Sequence, residues 1–334
     1  MDNVTHSLVG LMLGRATGRS AAMMVIAANL PDIDIVSWAG GTLTYLEVHR
    51  GIAHSLIAAP VWALILILLF RSRNWQSYLA CLAGVLSHLL LDWTNVYGIR
   101  LLLPFSDRWL HLDITDIVDP WILLALLLAV AAPALAGLVS SEIGAKKSFG
   151  VKRGWAWVAL IFLLAYEGGR FAAHQRALAV MGARLYEGKP AVRLSAIPNR
   201  WTPFRWRGVA EGDGYAVDVP VDLNTEFDPS VGRIDYSSLP NEAALKTRPF
   251  EVFAKFDQLP FWKAQKLADG TTQVQLIDLR FGTPGQPGFA ATAIVDASGA
   301  VRESRFGFGQ LPVGRLGSER VGLEASRAMI DCDL

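Results

Sequence analysis

Histidine and aspartate gather at one end of this chain. Five of the six histidines lie within the first 111 of 334 residues, among aspartates at the ends of apolar segments. His6 opens the series. Asp32 and Asp34 stand in Pro31-Asp-Ile-Asp34, His49 and His54 in His49-Arg-Gly-Ile-Ala-His54-Ser, and His88 and Asp92 in Ser87-His-Leu-Leu-Leu-Asp92. Imidazole nitrogen and carboxylate oxygen together suit zinc, manganese or iron. The i,i+4 spacing of His88 and Asp92 puts both on one helix face at a fixed separation. Neighbouring carboxylates such as Asp32 and Asp34 can bridge two ions, or one can ligate while the other orients a histidine. A bound metal supplies hydroxide near neutral pH, so the chemistry this set offers is hydrolysis. The expected ligands are His6, Asp32, Asp34, His49, His54, His88 and Asp92. Asp32 or Asp34 would be the general base, and Arg50 could hold a phosphate oxygen through its fork of donors.

Other ionisable residues read more plainly. His174 is expected to be a hydrogen-bonded structural residue, Asp2 a helix cap, and Asp107, Asp113 and Asp116 solvated loop residues. His111 could be either structural or a ligand, and Arg50 could instead be an interfacial anchor. Ser55 and Ser87 have no nucleophile motif around them. The seven clustered residues differ from these because ionisable groups in or beside membrane spans are costly and mark function.

The elements that must position them are apolar. Apolar residues make up 52% of the chain and charged residues 18%, with a net charge of +1 that would recruit no nucleic acid. Cys81 and Cys332 are too far apart in sequence to suggest a disulfide framework. Runs at 51–70, 76–93, 117–139 and 155–173 approach the roughly 20 residues that a span needs. Residues 8–30 are apolar but interrupted by Gly14-Arg-Ala-Thr-Gly-Arg19. They read as a short helical hairpin or as one tilted helix with snorkelling arginines. A metal site favours the hairpin, which returns Asp32 to the side of His6. Arg71, Arg73, Lys146, Lys147, Lys152 and Arg153 mark cytoplasmic loops, leaving 95–115 and the chain after 174 outside. His54 then begins its span on the outer side, where His88 and Asp92 end theirs.

The pattern changes after residue 190. Residues 215–223, 272–281 and 290–297 read as strands and 241–256 as a helix capped by Asn241. Gly282–Gly288 reads as a loop and not a phosphate cradle. The expected architecture is an α-helical membrane domain over 1–175, with about four spans and the N-terminal hairpin. A small soluble α+β domain over 190–334 would follow, outside the cytoplasm.

The four His/Asp motifs, beginning with Met1-Asp-Asn-Val-Thr-His6-Ser, resemble those of the YdjM-like inner-membrane metal-dependent hydrolases. The likeness covers about residues 1–170 and the Pro198-Asn-Arg-Trp201 and Phe204-Arg-Trp206 entry to the C-terminal region. It implies a bacterial inner-membrane location and a divalent metal. More distantly, His88 and Asp92 are similar to pairs in zinc-dependent phospholipase C and the zinc nucleases. Those enzymes hold three zincs; the histidines here build a dinuclear site more easily. Zinc is expected ahead of manganese or magnesium, as more than one ion. The expected reaction is hydrolysis of a phosphoester in a lipid or envelope molecule, with membrane lipid and a small-molecule or lipid phosphoester as partners. A cation or proton transporter, or a membrane-anchored assembly factor with a structural metal, is the alternative.

Overall fold

The computed structural model describes residues 1–72, 74–142, 151–236 and 238–308. Arg73, Lys146, Lys147 and Cys332 lie outside the described residues. Helix α1 (Asn3–Thr17) starts at Asp2, whose carboxylate accepts the Thr5 backbone N–H at 2.9 Å. It ends at Gly18 in the left-handed region, φ 71°. Ser20 caps α2 (Ala21–Asn29), which runs back along α1. Gly10 permits the close approach, since a Cβ there would fall 2.6 Å from the Met24 carbonyl oxygen. The interrupted stretch is therefore a hairpin. Arg19 fastens its tip, donating to Gln76 Oε1 at 2.6 Å and Ser77 Oγ at 3.2 Å.

The chain then forms a 3-10 segment (Leu30–Gly40), α3 (Thr42–Val48), a 3-10 turn (Ile52–His54), α4 (Ala58–Leu69) and α5 (Trp75–Thr94). Helices α6 (Pro120–Glu142) and α7 (Val151–Gly182) complete the bundle. By length and composition, three stretches could cross a membrane: Ala21–Gly40, Pro120–Glu142 and Val151–Gly182. A fourth is added if Thr42–His54 and Ala58–Leu69, bent by 76°, count as one span. Two expectations shift here. The 51–70 run is broken by this bend, and α5, which covers the 76–93 run, is not among the candidate spans. Helix α5 instead occupies the middle of the bundle, where small residues let backbones approach. A Cβ on Gly84 would lie 2.8 Å from that of Ala27. Met24, Ala27, Ala59, Ala63, Cys81 and Val85 form the core on one side of it.

The C-terminal region is β-rich. Strands β1 (Arg193–Pro198), β2 (Arg205–Glu211), β3 (Tyr215–Asp222) and β4 (Arg233–Asp235) form one antiparallel sheet in that order. Helices α8 (Glu242–Leu245) and α9 (Arg248–Phe256) follow, splitting the single helix expected over 241–256. Pro249 lies in the first turn of α9, where its missing N–H costs nothing. Strands β5 (Pro260–Lys266), β6 (Thr272–Asp278), β9 (Phe289–Val295) and β10 (Val301–Phe308) form a second antiparallel sheet, ordered β10-β9-β6-β5. The short pair β7 (Gly282–Thr283) and β8 (Gln286–Pro287) occupies the expected loop. The second sheet packs on the helical region through a core that includes Leu46, Tyr97 and Trp109. Arg280 fastens the two, donating to the Val96 carbonyl at 3.0 Å while paired with Asp278.

Candidate metal centre

Each cluster residue is held by a different local element. His6 lies one turn into α1, where the Asp2 cap fixes the helix start. Asp32 and Asp34 sit on the 3-10 segment, not in a loop. With three residues per turn, an i,i+2 pair points in different directions, and these two carboxylates serve different partners. His49 ends α3, and His54 closes the 3-10 turn before α4. His88 and Asp92 share one face of α5 and are fully buried.

Five side chains converge. His54 Nε2 lies 3.2 Å from Asp32 Oδ1 and 3.8 Å from Asp92 Oδ2. His88 Nε2 lies 3.6 Å from Asp32 Oδ1 and 3.4 Å from Asp92 Oδ2. His6 Nε2 is 3.4 Å from Asp92 Oδ1, and its ring stacks on His88 with centroids 3.8 Å apart. Donors about 2.1 Å from a common tetrahedral ion stand about 3.4 Å from each other. The observed separations match that spacing.

The hydrogen bonding points the same way. His88 Nδ1 is 2.7 Å from the Ala28 carbonyl, which can only accept. Nδ1 therefore carries the proton, and in a neutral ring Nε2 presents its lone pair to the cluster. Among the described residues, both nitrogens of His6, His88 Nε2 and Asp92 Oδ2 are buried without a hydrogen-bond partner. Buried polar atoms rarely go unsatisfied, and of these His6 Nε2 and His88 Nε2 both face the Asp92 carboxylate. Asp32, His54, His88 and Asp92 could hold a metal ion, as could Asp32, Asp34, His49 and His54. The residues present thus fit a divalent cation.

Asp34 stands behind this cluster. Its Oδ1 is 2.8 Å from His49 Nδ1. Its Oδ2 accepts the Arg50 backbone N–H at 3.1 Å and lies 3.0 Å from His54 Nδ1. That is the arrangement in which a carboxylate orients a metal-binding imidazole. His49 stacks on Tyr45, with centroids 4.5 Å apart.

Arg50 is buried and has a left-handed backbone, φ 54°. Such a conformation costs a non-glycine residue about 1–3 kcal/mol and persists only where its surroundings hold it. Here Nη1 donates to Asn95 Oδ1 at 3.1 Å and the Gly98 carbonyl at 3.0 Å, and Nη2 lies 3.1 Å from Asp92 Oδ1. Its guanidinium lies 4.4 Å from the centre of the Tyr97 ring. Burial pushes the Tyr97 phenol up to about 12, so it stays neutral. The Met1 amino group also pairs with Asp92. Three carboxylates therefore face the Arg50 guanidinium. A divalent ion would cancel the remaining negative charge, which an anionic substrate requires.

Several participants escape sequence reading. Asn95, three residues after Asp92, donates to its Oδ1 at 3.4 Å and accepts from Arg50. Glu167 is a buried carboxylate on α7 that accepts from Thr94 Oγ1 at 3.4 Å. Its signal was present, since a lone acid inside an apolar run is costly. His111 pairs with Asp113 at 2.8 Å, and His174 packs beside Trp206 with centroids 5.2 Å apart; neither is in the cluster. A cavity of about 310 Å³ lies in front of the cluster, lined by Asp32, His49, Arg50, Tyr45 and Tyr97 among others. A larger one of about 1100 Å³, between Arg207, Trp201 and Arg280, shares none of the cluster residues.

The family model described as YdjM inner membrane protein matches residues 1–177. The chain belongs to this family. Its place is the inner membrane, and its apolar helices are long enough to cross it. Among relatives, Uncharacterized protein YfhP of Bacillus subtilis (strain 168) is 32% identical over 149 residues, 39% of this chain and 46% of that protein. The chain thus spans about half the length of YfhP. Inner membrane protein YbcI of Escherichia coli (strain K12) is 35% identical over 121 residues, 31% of this chain and 68% of that protein. No solved structure matches.

Proposed function

We propose that this protein is a membrane-bound metal-dependent hydrolase acting on a phosphoester in a lipid or envelope molecule. The observation that carries the reading is the convergence of buried, unpartnered His6, His88 and Asp92 atoms at ligand spacing. His6, Asp32, His54, His88 and Asp92 would hold the ion, zinc ahead of manganese or magnesium. A second ion would use Asp32, Asp34, His49 and His54. Bound there, a divalent metal lowers the pKa of water and polarises a phosphoryl oxygen.

The chain's own residues supply the rest. Asp32 lines the cavity; its Oδ1 faces His54 and His88, and its other oxygen would take a proton from attacking water. Asp34 holds the rings of His49 and His54. Arg50 lines the same cavity, where its guanidinium charge would draw a phosphoryl oxygen. Tyr97 and Asn95 keep that guanidinium in place.

The test uses detergent-purified protein. Elemental analysis should find a divalent transition metal, and the double variant His54→Ala, His88→Ala should lose it. Phosphate release from phosphomonoesters, phosphodiesters and phospholipids should follow the metal. Unchanged metal in the double variant, or metal-dependent ion flux in sealed vesicles with no ester cleaved, would overturn the proposal.

A further inference from the structure

The cavity in front of the cluster is lined by both polar and apolar side chains. At about 310 Å³ it holds roughly ten water volumes. That admits a phosphoryl group and the first few carbons attached to it. Its lining joins Asp2, Asn3, Asp32, His49 and Arg50 with the apolar Val4, Ile35, Ile117, Phe289 and Phe308. Arg50 is the only arginine or lysine among the described residues lining it. Val4 is 57% exposed and Ile35 50%, and next to Ile35 Val36 is 72% exposed.

These bare side chains belong to the Ala21–Gly40 stretch and the start of α1. In water such a contiguous apolar patch would be a liability; beside a bilayer it is solvated by acyl chains. Phe289 and Phe308, from β9 and β10, lie across from it, and Phe308 stacks with Trp38 at 6.2 Å. The β-rich region therefore contributes Phe289 and Phe308 to the cavity wall, and Ile35 comes from a stretch long and apolar enough to cross a membrane.

We infer that the substrate is a lipid with a single phosphate head, entering sideways from the bilayer between Val4 and Ile35. The phosphate meets Arg50, the first carbons lie against Phe289 and Phe308, and the rest of the chain stays in the membrane. This rests on the hydrolase reading for the fate of the phosphate. Water's oxygen bonds to phosphorus, the P–O bond to the lipid alcohol breaks, and the proton taken by Asp32 ends on the departing alkoxide.

The test uses full-length protein in nanodiscs and a series of alkyl phosphates from ethyl to dodecyl. Each methylene that reaches the apolar wall should raise kcat/KM by about fourfold. In parallel, a dodecyl phosphate with a diazirine near its head is photo-crosslinked and its adducts are mapped. Labelling is expected at Val4, Ile35, Phe289 or Phe308, displaced by dodecyl phosphate and reduced by Ile35→Glu. A flat series with no adduct at the mouth overturns the inference even if short esters are cleaved. Adducts at the mouth with no ester cleaved sustain the lipid entrance and overturn the hydrolase reading instead.

Discussion

Replacing Asp34 by asparagine changes almost no volume and removes one negative charge. In the structure Asp34 Oδ2 accepts the Arg50 backbone N–H at 3.1 Å, which keeps an oxygen at that position. The new amide nitrogen must then face His49 Nδ1, now 2.8 Å from Oδ1. Two donors cannot share that contact, so His49 moves its proton to Nε2. His54 keeps an oxygen beside its Nδ1 but loses the charge that raises the basicity of its Nε2. Loss of such an orienting partner costs roughly 10- to 100-fold in metal affinity, or about 1.4–2.8 kcal/mol. Asp92→Asn should cost more, because Asp92 faces His6, His88 and Arg50 directly. The assay is competition with a zinc-binding fluorophore, with circular dichroism to confirm the fold. Unchanged affinity in Asp34→Asn, or a loss as complete as that of Asp92→Asn, would refute an orienting role.

Three further outcomes are expected. Asp257 is half-buried beside Asp278, with its Oδ2 enclosed, and desolvation followed by that charge raises its carboxyl well above the ordinary 3.8. A raised folded pKa adds stability below about pH 4 that is lost as pH climbs through the folded value. Melting temperature should therefore fall over that rise, and Asp257→Asn should flatten the profile. Arg280→Met leaves Asp278 buried without its partner and releases the Val96 carbonyl. It should destabilise by about 3–5 kcal/mol, with limited proteolysis cutting first in the β-rich region; wild-type resistance would contradict the fastening role. A cysteine at exposed Gly270 should react with a membrane-impermeant thiol reagent in cells permeabilised only at the outer membrane, if the β-rich region lies outside; protection until the inner membrane is opened would reverse the orientation.

Local features were legible wherever neighbours in sequence are neighbours in space. His88 and Asp92 share a helix face because 3.6 residues make a turn. Asp2 reads as a cap, and residues 215–223, 272–281 and 290–297 read as strands that appear as β3, β6 and β9. Strands β2 and β5 were not legible. Arg205–Glu211 and Pro260–Lys266 mix charge and tryptophan, and their pairing in a sheet comes from distant partners. The helix over 241–256 overlooked Pro249. The run at 76–93 read as a span because its polar residues are few; only the fold shows that this helix packs against α2 and α4 at the centre of the bundle.

By itself the sequence determined that this is an apolar, helical chain with seven His/Asp residues spaced for metal chemistry. Composition and short-range periodicity carry that much, because capping and helical phase act over a few residues. Which ligands meet was decided by tertiary structure. The return of α2 along α1 brings Asp32 to His6 and His88, and the 3-10 turn of 30–40 sends Asp32 toward the cluster and Asp34 behind it. Asn95 and Tyr97 reach Arg50 only through contacts that close long loops. Such contacts depend on small residues letting helices approach, and that fit belongs to the packed fold.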